Sequence, residues 1–160
     1  MITLRPYQAA TTDAVLAARQ RGVNRALYVL PTGTGKTVTF SEIIRRVREV
    51  DNRPALVLAH REELVVQARD TIRKLLPDAY SEIERANEKA SFLADVVVAS
   101  LPTLAREGSQ RLDWLARDGA SVIVYDEAHH AAAEGAGRVL SRFGAFDGRS
   151  FLVGCTATPH

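Results

Sequence analysis

The segment Pro31-Thr32-Gly33-Thr34-Gly35-Lys36-Thr37 follows a short apolar run and leads directly into a helical pattern. A triphosphate needs closely spaced backbone N–H donors, and Gly33 and Gly35 let the chain curl tightly enough to present them. The positive end of the following helix adds to the attraction. In such a loop Lys36 reaches the β/γ-phosphates and the Thr37 hydroxyl ligates Mg²⁺. The strict pattern has Gly five positions before Gly35, and Leu30 stands there instead. The remaining three fixed positions, Gly35, Lys36 and Thr37, all match.

Ninety residues after Lys36 comes Asp126-Glu127-Ala128-His129-His130, at the end of another apolar run. An acidic pair ending a strand is on its own a common solvated turn. Beside a phosphate loop it gains chemistry: Asp126 holds Mg²⁺, and Glu127 orients and deprotonates the water that attacks the γ-phosphate. The two histidines do not make a zinc site, because neighbouring side chains diverge and the chain has only one Cys. A polar relay from His129 to the end of the next strand fits better.

These groups have to be carried to one place. Five short apolar runs recur, Ala26–Leu30, Ala55–Ala59, Val96–Ala99, Val122–Tyr125 and Phe151–Cys155, each continuous instead of alternating. That is the pattern of strands covered on both faces in a parallel sheet. Between them Val38, Phe40, Ile43, Ile44, Val47 and Val50 trace one side of a helix starting near Thr37. Leu64, Ala68, Ile72 and Leu75 trace another, which should stop before Pro77. Residues 6–21 read as an N-terminal helix with Pro6 in its first turn, slightly weakened by Thr11 and Thr12. Residues 78–93 read as an edge strand or short helix plus loop, and residues 131–137 as a mobile connection to a helix around 138–143. The fold expected is a doubly wound α/β domain with a mainly parallel sheet. Such sheets bind ligands at the carboxyl ends of their strands, where both motifs lie.

The 160 residues suit one domain with a core of its own. With 46% apolar residues the chain is not disordered, and with one Cys it has no internal disulfide. No apolar run approaches the ~20 residues of a membrane span, and a cytoplasmic location is expected. Lys and Arg number 21 against 19 Asp and Glu, so charge alone does not mark a nucleic-acid binder. The Arg45-Arg46-Arg48 cluster reads as a solvated helix face, Trp114 as packing and Cys155 as a small core residue.

Together these segments resemble the first RecA-like domain of superfamily 2 DEAD/DEAH-box helicases, P-loop NTPases, and within them the type III restriction Res-subunit and RadD-like DNA-repair helicases. Leu4-Arg5-Pro6-Tyr7-Gln8 is similar to the adenine-recognition element, which makes Gln8 the reader of the adenine edge and Arg5 a supporting contact. Pro31–Thr37 matches motif I, and the family tolerates a non-Gly residue at the Leu30 position. Ala59–Leu64 resembles motif Ia and Val98–Leu104 motif Ib. Helix-start N–H groups with His60, Arg61, Ser100 and Thr103 there offer a grip on backbone phosphates. Asp126–His129 matches motif II, and Thr156-Ala157-Thr158-Pro159 resembles motif III, in which Thr156 and Thr158, with His129, couple hydrolysis to strand movement.

The resemblance implies ATP and Mg²⁺ as cofactors, DNA as partner and a second RecA-like domain that supplies arginine fingers. Residues 1–160 would be the first motor domain only, binding nucleotide weakly and hydrolysing it slowly alone. The use implied is DNA repair or restriction, by unwinding or by translocation along duplex DNA. The competing class is a non-enzymatic nucleotide-dependent nucleic-acid-binding module or a decayed scaffold motor, against which intact Lys36, Asp126 and Glu127 argue.

Overall fold

A computed structural model describes residues 2–31, 35–128 and 134–157. The elements run α1 (Pro6–Gln20), β1 (Arg25–Val29), α2 (Lys36–Arg48), β2 (Ala55–Ala59), α3 (Glu62–Leu75), β3 (Ser81–Glu84), β4 (Val96–Ser100), α4 (Leu101–Leu104), α5 (Gln110–Ala116), β5 (Val122–Asp126), α6 (Ala136–Arg142) and β6 (Phe151–Thr156). The six strands form one sheet in the order β1-β6-β5-β2-β4-β3, and every pairing is parallel. One face carries a core built with α1, α2 and α3 around Phe40, Ile43, Ile44, Val65 and Ile72. The other carries α4, α5 and α6 around Leu101, Leu104, Leu112 and Val139. The doubly wound parallel architecture is as the sequence implies.

Local sequence explains most boundaries. Pro6 opens α1, where its missing N–H costs nothing, and the Gln8 side chain accepts from the Arg5 N–H at 2.9 Å. Thr11 and Thr12 do not interrupt the helix. Their hydroxyls donate back to the carbonyls of Tyr7 and Gln8 at 2.9 and 2.8 Å and so satisfy themselves within it. Helix α3 ends two residues before Pro77, which bars the α region to its predecessor. The ambiguous 78–93 stretch supplies edge strand β3 and a loop.

Three readings are corrected. β1 is not covered on both faces: Leu27 and Val29 are 59% and 42% exposed, because β1 is the sheet's outer strand. Val50 is 73% exposed and lies beyond the end of α2, so the buried stripe of that helix stops at Val47. The arginines of α2 are not simply solvated. Arg45 pairs with Glu42 and Glu49, Arg46 with Glu42 and Asp13 of α1, and Arg48 with Asp95. Trp114 is packed, between the guanidinium groups of Arg111 and Arg117, 4.6 and 4.5 Å from its ring centre. Of the 131–137 connection, residues 131–133 lie outside the described residues; Gly135, at φ 82°, stands before α6.

Glu84, fully buried at the end of edge strand β3, is held by Arg111 through two bonds of 3.0 and 2.6 Å and accepts the Ala90 N–H at 2.9 Å. Among the described residues, removing Arg111 leaves this buried carboxylate only the Ala90 N–H and the more distant Lys89 ammonium, 3.8 Å from Oε2. Arg111→Leu is therefore expected to destabilise the protein by about 3 kcal/mol, read by urea denaturation. A loss below about 1 kcal/mol would show that Glu84 does not depend on Arg111.

Candidate nucleotide site

All six strands being parallel, their carboxyl ends share one edge of the sheet, and the residues singled out by sequence collect there. β1 runs through Leu30 and Pro31 to the loop that Gly35 closes. Gly35 caps α2 at φ 79°, a left-handed conformation open to Gly at little cost. A Cβ there would also stand 2.4 Å from Gln8 Nε2, so any larger residue would have to push the Gln8 side chain aside. The adenine-reader candidate Gln8 is thus buried against the end of the phosphate-loop candidate, while Arg5 beside it is exposed. Thr32, Gly33 and Thr34 lie outside the described residues, as do His129 and Thr158.

Lys36 and Thr37 form the first turn of α2. The Lys36 ammonium crosses to the end of β5, where it donates to Glu127 Oε1 and stands 3.7 Å from Asp126 Oδ1. The three side chains retain only 15%, 17% and 27% exposure, for Lys36, Asp126 and Glu127. Burial disfavours the ammonium, but the Glu127 bond and the charges of Asp126 and Glu127 outweigh it and hold Lys36 above its ordinary pKa. The lysine is therefore charged at any physiological pH. Glu127 takes a left-handed backbone at φ 58°, the one positive φ of a non-glycine among the described residues. Such conformations cost about 1–3 kcal/mol and persist where surrounding structure enforces them.

The residues fit a divalent cation. Asp126 Oδ1 takes the Glu127 N–H at 2.9 Å, the Cys155 thiol at 3.4 Å and the Lys36 ammonium at 3.7 Å. Among the described residues Asp126 Oδ2 and the Thr37 hydroxyl have no hydrogen-bond partner. Two hard oxygens of that kind, with water and phosphate oxygens, suit Mg²⁺.

The remaining candidates lie along the same edge. His60 is half-buried just after β2, and Arg61 is exposed at the N-terminal cap of α3. Thr103 is half-buried in α4. Ser100 is buried at the end of β4, so its hydroxyl is not on the surface as the sequence reading expects; a chain that turns straight from β4 into α4 encloses it. An open cleft of about 440 Å³ beside them is bordered by His60, Pro102, Arg106 and Arg138. Thr156 is buried at the end of β6, its carbonyl accepting the Leu30 N–H at 3.0 Å. Two residues that the sequence reading leaves to the core, Tyr28 and Cys155, touch the site. Tyr28 donates to the Lys36 carbonyl at 3.1 Å, and Cys155 contacts Asp126. The only sequence signal was a polar atom at matching depth in two apolar runs.

The family described as type III restriction enzyme, res subunit, matches residues 1–160. The chain belongs to that family. It is 37% identical over 98% of its length to irc3 of Schizosaccharomyces pombe, named as an inferred mitochondrial ATP-dependent helicase, and covers 26% of that protein. It is 29% identical over 97% of its length to the type I restriction enzyme EcoAI endonuclease subunit of Escherichia coli, covering 19% of it. The chain thus spans about a third or less of the curated relatives it matches. Among solved structures, the Pyrococcus furiosus Hef helicase domain superposes with a TM-score of 0.78 at 25% identity, over 98% of this chain and 33% of that one. The Sulfolobus solfataricus SWI2/SNF2 ATPase core, in complex with dsDNA, gives the same score at 19% identity, over 98% and 32%, and shares the fold. No helix among the described residues is long and apolar enough to cross a membrane.

Gly35→Ala tests the geometry at the loop's end. The left-handed backbone should cost about 1–2 kcal/mol, and the new methyl must displace Gln8. Expected are a lower melting temperature and a loss of affinity for a fluorescent ATP analogue. Unchanged values for both would show that neither the backbone nor Gln8 is fixed there.

Proposed function

We propose that this chain is the first RecA-like motor domain of an ATP-dependent DNA helicase or translocase acting in DNA repair or restriction. The observation that carries the reading is the convergence of the Lys36 ammonium with the Asp126 and Glu127 carboxylates at the carboxyl edge of the sheet. Family membership and the names of the relatives support the same reading.

In this reading the nucleotide lies across residues 31–37. Gln8 and Arg5 meet the adenine, and the backbone of Pro31, Thr32, Gly33, Thr34 and Gly35 cradles the phosphates, with Lys36 on the β/γ oxygens. Thr37 and Asp126 hold Mg²⁺, which when bound neutralises charge on the phosphate oxygens. The Lys36–Glu127 pair gives the site an order of events. Without nucleotide the two neutralise each other; a triphosphate competes for the ammonium and releases the carboxylate. Glu127 then accepts a proton from the water whose oxygen attacks the γ-phosphorus, and ADP departs with the bridging oxygen. A second RecA-like domain would supply arginine fingers, worth about 10³–10⁵ in rate in related systems.

DNA is the proposed track, gripped through its phosphates by Arg61, His60 and Thr103 on the edge next to the nucleotide site. His129, Thr156 and Thr158 would pass the state of the γ-phosphate to that surface. The SWI2/SNF2 ATPase core is in complex with dsDNA, which favours DNA over RNA.

In the full-length protein Glu127→Gln should slow ATP hydrolysis at least about 100-fold while leaving the affinity for an ATP analogue within about threefold. Undiminished turnover would remove Glu127 as the base. Arg61→Ala should weaken binding to all DNA sequences about equally and shallow the salt dependence by about one unit of slope. A sequence-selective loss, or none, would take Arg61 off the track.

A further inference from the structure

Tyr28, Cys155 and Asp126 occupy the same level on three neighbouring strands. In the parallel register Tyr28 of β1 sits beside Cys155 of β6, and Cys155 sits beside Asp126 of β5. Lateral neighbours on adjacent strands about 4.8 Å apart point to the same face, so their side chains form a row across the sheet. Cys155 is fully buried and Tyr28 is 6% exposed. The row has polar contacts at both ends. The Tyr28 hydroxyl donates to the Lys36 carbonyl, 3.1 Å away, in the first turn of α2. The Cys155 thiol lies 3.4 Å from Asp126 Oδ1, and its alternative acceptor, the Tyr125 carbonyl, is farther away at 3.7 Å. Apolar residues would fill these two positions equally well in a core. Here they bind the two halves of the site, the helix that carries Lys36 and the strand that carries Asp126.

We infer that Tyr28 and Cys155 are positioning residues: the Cys155 thiol fixes the rotation of the Asp126 carboxylate, and the Tyr28 hydroxyl pins the first turn of α2 to the sheet. The inference rests on the proposed nucleotide site and assigns it a supporting layer. Every protein bond to Asp126 among the described residues falls on Oδ1. With the thiol also on Oδ1, rotation that would exchange the two oxygens breaks a buried contact, and Oδ2 stays turned away from the protein. That is the orientation a metal-binding carboxylate has to keep while Lys36 moves between Glu127 and a phosphate. The Tyr28 bond acts elsewhere. It fixes where α2 begins, and so where Lys36 and Thr37 sit, whatever the metal.

The two roles separate in one experiment on the full-length protein. A fluorescent ATP analogue is titrated in EDTA and again across a Mg²⁺ series, and melting temperatures are recorded for each variant. Cys155→Val removes the thiol and fills its space, with one methyl group more. It should weaken the Mg²⁺-dependent gain in affinity about threefold to tenfold, leaving the affinity in EDTA within about twofold. Cys155→Ser, which restores a donor, should recover most of that gain. Tyr28→Phe should instead lower affinity in EDTA and in Mg²⁺ alike. A Cys155→Val protein with the full Mg²⁺ gain overturns the inference, as does an equal loss in both titrations, which would mark mere packing. If the unmodified protein shows no Mg²⁺-dependent gain, the nucleotide-site reading fails as well, so the two failures are distinguishable.

Discussion

The site is organised around one partly buried ammonium and two carboxylates that need it. Asp126 and Glu127 stand at the end of a strand whose other residues are buried, where like charges side by side would repel strongly without a counter-ion. Lys36 supplies that counter-ion from the first turn of α2, and the bond to Glu127 together with the charges of Asp126 and Glu127 outweighs the cost of taking the ammonium out of water. The arrangement is stable only because both elements are anchored elsewhere, α2 by Phe40, Ile43, Ile44 and Val47 against the sheet, β5 by pairing on both sides. Charge that is already balanced in the free protein leaves a phosphate something to displace, which suits a site that must change state on binding.

The parallel sheet turns this local balance into a machine-like layout. Parallel strands deliver their carboxyl ends to one edge, so the ends of β1, β6 and β5 form the proposed nucleotide side while those of the adjoining strands β2 and β4 carry His60, Arg61 and the α4 turn. A change at Asp126 and Glu127 has only the width of the neighbouring strand β2 to cross before it reaches the edge that bears Arg61.

The positions where a residue-type reading went astray share a cause. Leu27 and Val29 look like core but face outward, because hydrophobicity does not tell an edge strand from a central one. Arg45, Arg46 and Arg48 look like solvated charge but find Glu42, Glu49, Asp13 and Asp95, three of the four on the same helix or on α1. Ser100 looks available to a ligand and is enclosed by the turn into α4. Each outcome depends on which neighbours the fold brings to that residue, and residue type alone does not name them.

Sequence by itself determined the alternation of strands and helices, the ends of α1 and α3 at Pro6 and before Pro77, and the two motifs at strand ends, since these follow from local sterics and periodicity that act within a few residues. It also placed Gly35 correctly as a position for a tight turn. Only the tertiary structure decided that β6 lies between β1 and β5, which is what sets Cys155 between Tyr28 and Asp126. It likewise decided that Gln8 rests on Gly35 and that Lys36 meets Glu127 across ninety residues. Strand order is fixed by the packing of whole layers, and that information is spread over the entire chain and not written at any one site.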